Sequence, residues 1–159
     1  MSVILNIETA SRICSVAVSM DGMIDFHIES EEGMQHASLL AGYVDRCLQH
    51  ISRRELQLDA VAVSIGPGSY TGLRIGLSLA KGLCFANDIP LIGVSTLELL
   101  AVKGMFGLRD AEGDEILVPM IDARRMEVYT AAYDFALHPV MEPLPLILDE
   151  NSYAGLPAD

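Results

Sequence analysis

Apolar and polar positions follow two periods along this chain, and the places where the period changes mark out its elements. Residues 3–9 (VILNIET) and 13–20 (ICSVAVSM) are β-branched and strand-like, and residues 23–29 (MIDFHIE) alternate as a half-buried strand does. Asp21-Gly22, between the last two runs, is a hairpin signal, because a two-residue turn needs left-handed backbone that Asp and Gly adopt readily. These runs predict a three-strand antiparallel meander. From Gln35 to Ile51 the period lengthens: Ala37, Leu40, Ala41, Val44, Cys47, Leu48 and Ile51 share one face of a helix. Ser52-Arg53-Arg54-Glu55 has the spacing of a capping box and predicts a further short turn of helix. Residues 59–65 (DAVAVSI) read as a buried strand, Gly66-Pro67-Gly68 as a turn, and 71–87 as a helix. Residues 90–94 (PLIGV) predict another buried strand, and Ser95 or Thr96 caps a helix that runs to Met105.

The resulting order, βββαβαβα, is that of a ribonuclease-H-like α/β core, whose doubled form is the actin-like architecture. A weak internal repeat points to the doubled form. A shift of 114 residues lays Ile7-Glu8 on Ile121-Asp122, and Val16-Ala17-Val18 on Thr130-Ala131-Ala132. Each copy reads as a strand ending in a carboxylate, a short polar turn and a second strand. The expected organisation is a first actin-like lobe over residues 1–106 and a second over 107–159. The second is expected to be incomplete, because the chain stops before that copy's helices.

A hydrophobic fraction of 51% in 159 residues excludes a disordered chain and supplies a sizeable core. The net charge of −12 changes the functional picture. Affinity for nucleic acid comes largely from Lys and Arg neutralising phosphates, and this balance is the wrong sign for a protein that grips RNA alone. The three cysteines, Cys14, Cys47 and Cys84, are widely spaced in apolar runs and form neither a disulfide framework nor a metal pattern. The N-terminus lacks a basic region followed by an apolar core, and no uninterrupted apolar run reaches the ~18 residues of a membrane span. A cytoplasmic protein with no membrane association is expected.

The stretch from Ser64 to Ala86 carries the puzzle of the sequence. Its helix contains Gly72, Gly76 and Gly82, each costing about 1 kcal/mol relative to alanine. Only Arg74, Ser78 and Lys81 make a polar strip. Gly72, Gly76 and Ala80 lie at i, i+4 and i+8, with Leu73 and Leu77 on the flank, so a second backbone can come close. That second backbone belongs either to a partner protein or to the chain's own sheet. On the first helix His36, Leu39, Tyr43, Arg46 and His50 form a stripe away from the core face, which suits either a protein contact or a solvated face. The Gly66-Pro67-Gly68 turn with Ser69 and Thr71 is either a compact strand-to-helix turn or an anion cradle; its spacing is that of neither the dinucleotide nor the P-loop motif. Glu8 and Asp122 are either turn residues or the paired acids of an actin-like ATP-binding phosphotransferase. The histidines never occur at i, i+4 on a helix: Leu40 follows His36 at that spacing, so a helical pair of metal ligands is missing and no resident metal is expected.

The segments ILNIETAS, QHASLL, DAVAVSIGPGSYTGLRIGLSLAKGL and MIDARRMEVYTAAY resemble the bacterial TsaB family, also called YeaZ. The resemblance extends from Ile4 to Tyr133. It implies an actin-like fold and a role in making threonylcarbamoyladenosine beside the tRNA anticodon. It further implies a non-catalytic subunit that pairs with the catalytic paralogue TsaD and helps recruit the ATPase TsaE. Alone, such a subunit forms homodimers, meets tRNA only through the complex, and has no cofactor of its own, ATP entering only within the assembly. The pairing surface implied is built from the two helices at 35–51 and 71–87.

Overall fold

The computed structural model describes residues 1–30, 36–108 and 112–156. The chain divides into two compact units, Met1–Val94 and Ser95–Asp159. In the first, β1 (Val3–Glu8), β2 (Cys14–Met20) and β3 (Met23–Ser30) form the expected meander, followed by α1 (His36–Arg53), β4 (Ala60–Gly66), α2 (Tyr70–Asn87) and β5 (Leu91–Ser95). The sheet order is β3-β2-β1-β4-β5, with β2 antiparallel and β4 parallel to β1. This α/β arrangement is the ribonuclease-H-like core that the element order predicts.

Alternation decides which face of the sheet is dry. Val3, Leu5 and Ile7 of β1, Cys14, Val16 and Val18 of β2, and Val61 and Val63 of β4 are all buried. Leu40, Val44, Cys47 and Ile51 of α1 and Ala80 and Cys84 of α2 close over them. The Asp21-Gly22 hairpin forms as expected, with both residues at positive φ and Met20 paired with Met23. The predicted helical turn at 52–55 does not form. Glu55 takes a left-handed φ of 55°, and the N–H of Leu56 returns to the carbonyl of Ile51, so these residues close α1 instead of opening a second helix.

In the second unit α3 (Thr96–Gly107) is N-capped by Ser95, whose hydroxyl oxygen accepts from the N–H of Glu98. A three-stranded antiparallel sheet follows: β6 (Met120–Arg124), β7 (Glu127–Tyr133) and β8 (Pro139–Ile147). Leu97 and Ala101 of α3 share a core with Leu117, Ala131 and Tyr133. The sequence reading assigns this helix to the first lobe; in the structure it clusters with the second sheet. A strand–turn–strand–strand meander thus occurs in each unit; Glu8 ends β1 as expected, whereas Asp122 lies in the middle of β6, which continues to Arg124.

The glycines of α2 answer to the chain's own strand end. A Cβ on Gly72 would collide with the backbone oxygen of Thr9, and one on Gly76 with its hydroxyl, Thr9 itself being fully buried. Gly82 has nothing within 4 Å of where its Cβ would stand. The expectation that Gly72, Gly76 and Ala80 admit a partner's backbone is therefore corrected: the face they form is filled from within the unit. The pair gives a direct test. Gly72→Ala should lower stability by roughly 1–3 kcal/mol in urea unfolding, because a backbone oxygen cannot yield. Gly82→Ala should raise it by about 0.5–1 kcal/mol. A neutral Gly72→Ala would refute the close approach.

Candidate functional site

Strand β4 delivers the chain into α2 through Gly66, Pro67 and Gly68. Gly66 has a φ of 110°, and a Cβ on Gly68 would overlap the backbone of Ala10. The N–H of Ser69 donates to the carbonyl of Ala10 at 2.6 Å, and the Ser69 hydroxyl accepts from the N–H of Gly72 at 3.3 Å. Beside this junction Glu8 Oε1 accepts from the N–H of Ala10 at 2.5 Å and from the hydroxyl of Ser64 at 3.0 Å. Two of the N–H groups that an anion would need are thus spent inside the fold, and a carboxylate stands next to them. The compact-turn reading of Gly66, Gly68 and Ser69 describes this geometry. Thr71 is exposed on the first turn of α2.

Asp122 repeats the Glu8 arrangement in the second unit: its Oδ1 accepts from the N–H of Arg124 at 2.7 Å, again two residues further on. Both carboxylates hold their own turns. Among the described residues no group of three or more His, Cys, Asp or Glu side chains is arranged to hold a metal ion.

The expected partner residues divide by burial. Gly72, Gly76 and Ala80 are sealed inside. Leu73 and Leu77 on one flank of α2, and Leu39 and Tyr43 on α1, are half-buried, with Tyr43 and Leu77 packed against the core. Arg46 is exposed, and the side chain of His36 lies outside the described residues. His50, on the same stripe, is held in place: its ring stacks on Phe26 with centroids 4.6 Å apart and its Nε2 lies 2.6 Å from Asp25 Oδ2. Arg54 also donates to Asp25. These contacts fasten the end of α1 to β3.

Sequence reasoning missed the most exposed line on α2. Tyr70, Arg74, Ser78, Lys81 and Phe85 recur every three or four residues opposite the glycine face, with Tyr70 74% and Phe85 92% exposed. Arg74 lies over the Tyr70 ring, 5.3 Å from its centroid, and donates to its hydroxyl at 3.3 Å. Thr71, Arg74, Ile75 and Ser78 line a groove of ≈ 470 Å³. No Asp or Glu occurs between Tyr70 and Asn87. The polar strip of Arg74, Ser78 and Lys81 carries the signal; Tyr70 lies before the predicted helix start, and Phe85 is an apolar residue inside it that reads as core by composition.

A ribonuclease-H-like unit followed by a second meander defines a protein of the actin-like class. The family model described as TsaD: tRNA N6-adenosine threonylcarbamoyltransferase matches residues 30–140. The tRNA threonylcarbamoyladenosine biosynthesis protein TsaB of Escherichia coli (strain K12) is 38% identical over 130 residues, 82% of this chain and 54% of that protein. Its namesake in Bacillus subtilis (strain 168) is 33% identical over 132 residues, 83% of this chain and 55% of that one. Among solved structures, YeaZ from Pseudomonas aeruginosa superposes with a TM-score of 0.75 at 29% identity, covering 92% of this chain and 68% of that one. The chain belongs to this family, on its TsaB (YeaZ) branch. It spans about half the length of the curated relatives it matches. No helix among the described residues is long and apolar enough to cross a membrane.

The Asp25 cluster gives the surface of α1 a pH dependence. The Arg54 guanidinium, and after it His50, hold the Asp25 carboxyl below its usual range. A lowered folded-state pKa means that the ionised form stabilises the fold. That contribution is complete above the ordinary Asp value of ~3.9 and is lost as pH falls through the lowered one. The Asp25→Asn variant should therefore be less stable than the parent at neutral pH, and the gap in urea midpoints should close below about pH 4. A gap that persists unchanged into acid would assign the effect to packing.

Proposed function

We propose that this chain is a non-catalytic partner subunit in the threonylcarbamoyl modification of the tRNA adenosine next to the anticodon. In this reading it pairs with the catalytic paralogue TsaD and helps recruit the ATPase TsaE. It meets tRNA through that complex and self-associates when alone. The relatives named as TsaB biosynthesis proteins support the pathway. The observation that carries the partner role is the outward line of α2. Two exposed aromatic rings flank Arg74 and Lys81, on a helix with no acidic residue, in a chain of net charge −12. Aromatic residues and arginine are enriched at protein interfaces, and a locally basic strip on an acidic protein marks where a complementary surface is accepted. The turn roles of Glu8 and Asp122 support the non-catalytic half of the reading.

Ala80 is fully buried, so an Ala80→Arg change would damage the fold and report nothing about pairing. An Arg74→Glu, Phe85→Ser double variant alters only exposed side chains. Co-elution with purified TsaD in size exclusion should weaken at least tenfold on this double change, while the circular dichroism spectrum stays as in the parent. With the double variant in place of the parent, tRNA modification should fall in parallel. Unaltered co-elution of the double variant would reject α2 as the pairing surface, and modification at full rate without the chain would reject the function.

A further inference from the structure

Two tight hairpins among the described residues share a two-residue loop at positive φ and carry very different residues. Both connect paired strands through two residues at positive φ: Asp21 (48°) and Gly22 (82°) between β2 and β3, and Arg125 (56°) and Met126 (64°) between β6 and β7. Such turns favour Asn, Asp and Gly, whose small or absent side chains tolerate left-handed backbone. The first hairpin follows this rule. The second breaks it at both positions, and Arg124 before them also has a φ of 71°. Three consecutive bulky residues in the left-handed region form a strained tip. It is pinned by the N–H of Arg124 on Asp122 Oδ1 and by the N–H of Leu148 on the carbonyl of Met126. Strain of this kind is a pointer to function when the side chains it displays have no work inside the fold.

Among the described residues these side chains have none. Arg124 and Arg125 are exposed, and among the described residues no carboxylate lies within ion-pair distance of either. Asp122 is occupied with the backbone N–H, in a chain where twenty-two acidic residues face ten basic ones. Met126 is 70% exposed, and Ile147, paired with its neighbour Glu127, is 68% exposed. We propose that the β6–β7 tip is a docking point for an acidic protein surface, separate from α2. The two guanidinium groups receive carboxylates of the partner, and Met126 with Ile147 fills an apolar recess between them. Exposed Met and Ile beside two arginines that have no ion-pair partner among the described residues match the make-up of a protein contact, since a phosphodiester chain offers nothing to cover the apolar pair.

The experiment uses the full chain and three probes followed by fluorescence anisotropy: a designed amphipathic helical peptide with Glu flanking a Leu ridge, its Gln-for-Glu twin, and an unmodified tRNA transcript. The Glu peptide should bind, the Gln twin at least tenfold more weakly, and the Arg124→Ser, Arg125→Ser variant should lose tenfold or more. The Arg125→Asn, Met126→Gly variant, which restores the favoured turn residues, should melt at a higher temperature than the parent and yet show the same loss. No binding of the Glu peptide, or binding that these variants leave unchanged, overturns the proposal. So does a lower melting temperature for the Asn-Gly variant, which removes the strain. Binding of the transcript that the arginine variant abolishes, with the peptide ignored, would assign the tip to nucleic acid instead. None of these outcomes depends on pairing through α2.

Discussion

The close approach of α2 to the end of β1 sets most of what this molecule is. With glycine at 72 and 76 the helix backbone settles onto Thr9, and nothing larger than hydrogen fits at either place. Settling there carries the Ser69 N–H to Ala10 and fixes the turn that leaves β4. It also brings Ala80 and Cys84 over the same sheet face as Leu40 and Cys47 of α1, so that both helices share one core. The glycine cost to the helix, about 1 kcal/mol per residue, is offset by burial that a bulkier face would forbid.

That constraint also determines what the helix shows to solvent. Once one side is committed to Thr9 and the leucines of the flanks are half-buried, the line from Tyr70 to Phe85 remains outside, with Thr71, Gly82 and Ala86 beside it. The apolar composition of α2 therefore does not measure its stickiness. Most of it serves the unit's own interior, and the surface left over is aromatic and basic. The same economy governs two carboxylates: Glu8 at the end of β1 and Asp122 within β6 each spend an oxygen on a backbone N–H two residues along.

Much of the fold was legible in the sequence because its signals are local. The meander, the Asp21-Gly22 hairpin, the strands at 60–66 and 91–95 and the long helices follow from period and turn chemistry over a few residues; the strand at 91–95 is not buried as expected, because it forms the edge of the sheet and leaves Ile92 41% exposed. The misreadings share a different cause. Ser52 to Glu55 fits a helix start by spacing, but the chain enters it from a helix that has not yet ended, and the residues cap that helix instead. The β6–β7 turn carries no glycine or asparagine, so no local rule announces its left-handed backbone. The helix at 96–107 looks like the last element of the first lobe by order, yet Leu97 and Ala101 bury themselves with Ala131 and Tyr133.

By itself the sequence determined the class of core, the strong negative charge, the kinship to a family and the presence of a helix able to pack unusually close. Small residues four apart state that something approaches; they do not state what. Only the tertiary structure decided that the approaching group is Thr9 of the same unit, because contact between residues 9 and 76 is a matter of chain return through β4, which no periodicity encodes. The direction of α2 over its sheet then chose which side chains face outward, and so where a partner has room to sit.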